Sequence, residues 1–126
     1  MTRELVAIAV ALAIVVATVA IVRHAHGAEN DDLILPPKRY DKPFRGNVVE
    51  NTARDKNDLT ELCWPNPLAA KALGCSIHFS YSPQGPGTCY IYIADEFTLF
   101  WWKVSADAVR RHEIAHCLGW PADHPK

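Results

Sequence analysis

Arg111-His112-Glu113-Ile114-Ala115-His116-Cys117-Leu118-Gly119-Trp120-Pro121-Ala122-Asp123-His124-Pro125 is the stretch on which the rest of the chain is read. It contains H-E-x-x-H, then Leu118-Gly119, then an aspartate and a further histidine. Residues four apart on a helix are separated by about 40° around its axis, so His112 and His116 point two imidazoles to one side. Glu113 reaches toward a water held on that side. Neutral nitrogen ligands, an open coordination position and a carboxylate that can take the water's proton are what a hydrolytic zinc ion (Zn2+) requires. The surrounding residues predict a helix from about Ala106 to Leu118, opened by Ser105 or Asp107 and ended at Gly119.

A third ligand must come from elsewhere. His124, brought back by the turn through Gly119-Trp120-Pro121, completes a three-histidine set. Asp123 is the alternative, and His78 or a water fills the remaining reading. If Asp123 is not a ligand, it is placed to orient a ligand histidine from behind. Cys117 lies about 100° from His116 and about 140° from His112 around the helix, so it faces away and is read as a disulfide partner. Cys63, Cys75, Cys89 and Cys117 allow three pairings. They contain no closely spaced cysteine pair of the kind a structural zinc site uses.

These residues carry a resemblance. The segment resembles the zincin metallopeptidases, and His112-Glu113-Ile114-Ala115-His116-Cys117-Leu118-Gly119 looks like the first part of the metzincin signature H-E-x-x-H-x-x-G-x-x-H. The likeness stops there: the signature's last histidine would fall on Ala122, and the only methionine is Met1, which leaves no residue for the family's Met-turn. The resemblance implies a minimal zincin with a lengthened return loop. Its zinc would sit on His112, His116 and His124, with Glu113 as general base and a peptide or protein as substrate.

Upstream, Ser76 to Ser82 and Thr88 to Ala94 alternate with period 2 around Pro83-Gln84-Gly85-Pro86-Gly87, which predicts a hairpin. The resemblance would use such a strand to hold an extended substrate at the sheet edge. Phe97-Thr98-Leu99-Phe100-Trp101-Trp102 is read as core or helix-packing surface. Arg110-Arg111 is read as a solvated pair. Leu68 to Leu73 predicts a short helix ended by Gly74, and Asp58 to Leu62 a helical turn capped by Asp58. Val48-Val49 is a short strand. Glu29 to Asp58, polar and proline-bearing, is an extended linker running into the domain's start.

Leu5 to Val22 is apolar apart from Thr18. As a helix it would extend about 27 Å, near the hydrocarbon thickness of a bilayer. It is either a secretory signal peptide, with Ala25-His26-Gly27 as an acceptable cleavage site, or an uncleaved anchor. Both place the remainder outside the cytoplasm: secreted, periplasmic, or membrane-anchored facing outward.

The chain has 126 residues and a net charge of −1, with basic residues neither in excess nor clustered, which removes the case for nucleic acid. Nine prolines and six glycines predict a loop-rich domain that two disulfides would staple. The expected architecture is a small single α+β domain, with a β-hairpin or small antiparallel sheet packed on a C-terminal metal-binding helix and a hydrophobic helix before it. Residues 1–28 would be the signal peptide or membrane anchor, 29–57 the linker and domain start, and 58–126 the metallopeptidase domain. A noncatalytic exported zinc-binding or partner-binding protein is the rival reading.

Overall fold

The computed structural model describes residues 29–64, 71–79 and 87–125, together with 8, 10, 11, 13 and 14. Of the expected hydrophobic helix over 5–22 only residues 8, 10, 11, 13 and 14 are described, and these are helical. Half of the Leu68–Leu73 helix and nearly all of the hairpin turn lie outside the described residues, and residues 71–73 are not helical. Among the described residues no helix is long and apolar enough to cross a membrane.

In chain order the elements are α1 (Asp31–Ile34), β1 (Asn47–Thr52), α2 (Lys56–Leu62), β2 (Gly74–Phe79), β3 (Thr88–Ile93), α3 (Glu96–Trp102) and α4 (Ala106–Cys117). The α+β class holds, and the hairpin forms with β2 antiparallel to β3. The sheet is mixed, however, not antiparallel: β1 joins the other side of β3 in parallel, from Asn47 opposite Thr88 to Thr52 opposite Ile93. All six residues of β1 are exposed, so no buried face imprints an alternation on them.

The core grows from the alternation of β3. Cys89, Ile91 and Ile93 are buried on one face, while Tyr90 and Tyr92 are half-buried between them. Against that face pack Leu59 of α2 and Val109 of α4, with Val104 and Leu99 at the margin. Each such aliphatic side chain contributes about 1.5–3 kcal/mol when fully buried. Helix α4 crosses β2 and β3, and Gly74 marks the close approach. A Cβ there would stand 2.8 Å from the Tyr92 carbonyl oxygen and 2.8 Å from a Val109 methyl. Gly74 therefore begins a strand where the sequence suggested a helix end.

Disulfides resolve the pairing as Cys63–Cys75 and Cys89–Cys117. The second bolts the end of α4 to the central strand, and Cys117 turns away from His116 as the helical wheel requires. Two disulfides in so small a domain suit an oxidising compartment.

Helices α2, α3 and α4 start on side-chain oxygens. Asp55, not Asp58, caps α2 by accepting from the amides of Asn57 and Asp58. Asp95 caps α3, and Ser105 caps α4 by accepting from the Ala108 amide at 3.0 Å.

The segment read as a linker packs on the domain instead. The Asp31 carboxylate accepts both the amide and the hydroxyl of Ser105, each at 2.7 Å. Nor are the two arginines merely solvated. Arg110 forms a two-pronged pair with Glu50 of β1 at 2.6 and 2.7 Å, and Arg111 pairs with Asp41.

Candidate metal centre

The site is built at the C-terminal end of α4. The helix closes in a Schellman turn: the Trp120 amide bonds the Ala115 carbonyl at 3.0 Å and the Gly119 amide bonds the His116 carbonyl at 2.9 Å. Gly119 has φ +94°, a conformation glycine adopts without a Cβ penalty. A second reversal follows, with the His124 amide bonding the Pro121 carbonyl at 3.0 Å and His124 itself at φ +53°. Together the two turns carry His124 back over the helix end.

Three ring nitrogens converge as a result. His112 Nε2 lies 3.2 Å from His116 Nε2, and His124 Nε2 lies 3.2 Å from His116 Nε2. One nitrogen from each ring falls within 4.8 Å of the other two. Ligands about 2.0–2.1 Å from a tetrahedral ion stand about 3.3 Å apart, so the spacing fits such an ion. Neither Asp123 nor His78 joins the group. His78 stands on β2, edge-on to Phe44.

The outer nitrogens explain the orientation. His112 Nδ1 lies 2.6 Å from the Ile34 carbonyl, and His116 Nδ1 lies 2.8 Å from the Trp120 carbonyl. A carbonyl only accepts, so each Nδ1 carries the proton and each Nε2 keeps its lone pair. Two lone pairs 3.2 Å apart repel unless a proton or a cation is shared between them. Burial lowers the His112 pKa to about 4, assisted by the neighbouring histidines and opposed by the Ile34 carbonyl. His124 is lowered too, by burial first and then by His116, with Asp123 opposing. The donor set is three imidazole nitrogens, which suits a metal ion and leaves its identity to chemistry outside the geometry.

Glu113, expected to reach toward a water beside the histidines, does not join their group and bonds the sheet instead. Among the described residues it is the one buried charged group, 5% exposed, and its carboxylate accepts from the Ser76 hydroxyl of β2. One of its oxygens would stand 3.0 Å from a Cβ on Gly74. Burial raises its pKa to about 7, with Ser76 pulling the other way.

Trp120, Ile34 and Tyr40 are parts of the site that the sequence did not announce. The buried Trp120 ring stacks on His116 at 5.1 Å and stands edge-on to His112 and His124. Its indole N–H donates to the Pro125 carbonyl at 3.1 Å, and Tyr40 stacks on it. A signal for Trp120 existed: the residue following the C-terminal glycine of a Schellman turn often packs back on the last helical turn. Ile34 had none, since it acts through its backbone. A cleft of about 390 Å³ opens between residues 33–37 and the group formed by His112, Trp120 and His124.

No family model matches this chain, and searches of curated proteins and of solved structures give no match either.

Proposed function

We propose that the chain holds zinc on His112, His116 and His124 and hydrolyses a peptide or related amide bond, as a minimal zincin-like metallopeptidase. The observation that carries this reading is the convergence of three ring nitrogens, two of them oriented by carbonyls behind them. Zinc bound there supplies Lewis acidity and brings the pKa of a coordinated water toward neutrality.

The chain's own residues do the remainder. The Ile34 and Trp120 carbonyls hold the Nδ1 protons and keep the Nε2 lone pairs aimed. A carboxyl that titrates near neutrality is suited to take a proton from water and return it to a leaving amine; this is the role proposed for Glu113, whose carboxylate would have to exchange its Ser76 partner for that water. The cleft beside the histidines admits an extended chain, and its wall of Leu33, Leu35, Pro36 and Pro37 suits an apolar side chain.

The test uses the full chain with its disulfides intact. Zinc content is measured by mass spectrometry for the natural sequence and for His124→Ala, and cleavage of a mixed peptide library is followed for the natural sequence and Glu113→Gln. One zinc per chain that is lost in His124→Ala, with cleavage falling about 10²–10⁴-fold in Glu113→Gln, supports the reading. Absence of zinc in the natural sequence removes it. Zinc retention with no cleavage of any peptide favours the second reading, a noncatalytic zinc protein that binds a partner; the exposed aromatic residues of α3 speak for that alternative.

A further inference from the structure

Helix α3 inverts the usual arrangement of a short helix on a small domain. Of its apolar side chains only Leu99 is buried, whereas Phe97 and Trp101 are each 74% exposed and Trp102 is 54% exposed. Phe97 and Trp101 stand four residues apart, on one face, and Trp102 widens it. The sequence suggested core or packing surface for this cluster; the structure turns it outward.

What lies at the end of this helix is equally unusual. The Asn30 amide bonds the Lys103 carbonyl and its side chain bonds the Trp102 carbonyl, both at 2.9 Å, while Lys103 pairs with Glu29 at 2.8 Å. The chain that follows the apolar run therefore enters the fold against the last turn of the aromatic helix. Six residues lie between Val22 and Glu29, and the seven steps from one to the other span at most about 25 Å. If the run enters a bilayer, the start of the fold that bonds the end of α3 is tethered within about 25 Å of that run's end.

We propose that α3 is a membrane-interface anchor, whose Phe97, Trp101 and Trp102 seat in the headgroup–acyl boundary of the bilayer that residues 5–22 enter. The proposal rests on reading that run as a membrane segment and is independent of the metal site. Tryptophan suits the boundary because its ring is apolar while its N–H seeks a polar partner. The run itself is a poor cover for the face. A seven-residue helix is about 10 Å long, against about 27 Å for the run, and the run is apolar all round, so most of it would stay in water.

The full chain is mixed with phosphatidylcholine vesicles, and its tryptophan emission is compared with that of Trp101→Phe/Trp102→Phe, which keeps the face apolar. Flotation reports binding. Phospholipids brominated at shallow or deep acyl positions, and aqueous acrylamide, serve as quenchers. The expected result is flotation, stronger quenching by shallow than by deep bromines, and loss of more than half of that quenching in the double variant. Failure to float overturns the proposal. So does quenching of Trp101 and Trp102 by acrylamide but not by lipid, which leaves the face in water. Protection from both quenchers overturns it as well, because the face is then covered by residues 5–22 or a second copy.

Discussion

Helices α3 and α4 are separated by three residues, Lys103 to Ser105, and are built by the same local rules to opposite ends. Each starts on an oxygen cap and each ends at a residue of positive φ, at Lys103 or shortly beyond the helix at Gly119. Their side chains diverge. Helix α4 buries a carboxylate and brings two histidines to its end, and α3 puts two tryptophans into solvent while a single leucine holds it to the core. Capping and helix length are thus decided locally. Which face is buried is decided by what the rest of the chain lays against it.

The comparison can be broken at several depths. Cys89→Ser/Cys117→Ser removes the bolt between α4 and β3, whose cysteines are 28 residues apart; chemical denaturation is expected to show a loss of about 3 kcal/mol. Glu113→Gln acts with a pH-dependent sign. The Glu113 carboxyl titrates at about 7 in the fold against 4.5 in the unfolded chain, so the native state holds the extra proton between these values. Metal-free natural protein should lose stability, relative to the variant, as pH rises from about 4.5 through 7, by on the order of 3 kcal/mol. Equal pH slopes for the two proteins would show that the carboxyl is not desolvated.

Ser105→Ala removes the α4 cap and a hydroxyl bonded to Asp31, and a loss of about 1 kcal/mol is expected in thermal melts. The smallest effect belongs to α3. Trp101→Ser should change folding stability by less than about 0.5 kcal/mol, although it deletes the larger apolar group. A cost of several kcal/mol there would erase the contrast between the helices.

How much could be read from sequence follows the same division. The α4 boundaries, the Ser105 cap, the return of His124, the hairpin and the turning away of Cys117 were legible, because caps, turns and helical or strand periodicity act over a few residues. The parallel pairing of β1 was not, since parallel strands are joined by long connections and β1 has no buried face to pattern. The same holds for the Ile34 carbonyl behind His112, which depends on a contact across 78 positions. Arg110 and Arg111 looked solvated because their partners, Glu50 and Asp41, come from a segment that reads as a linker. The aromatic run of α3 misled for the opposite reason: its composition resembles a core, and only the packing of its neighbours shows it was left outside.

The two turns that return His124 have a thermodynamic consequence. All three nitrogens come from positions 112 to 124, so closing the chelate loop costs little chain entropy even in the denatured ensemble. A metal stabilises a fold only through its preference for the native over the unfolded state. A site this local would hand part of that preference back, because the unfolded chain could grip the same ion. Melting temperature should therefore rise less with metal concentration than the native affinity alone would dictate, and a strong affinity paired with a weak thermal shift would be the signature of the short loop.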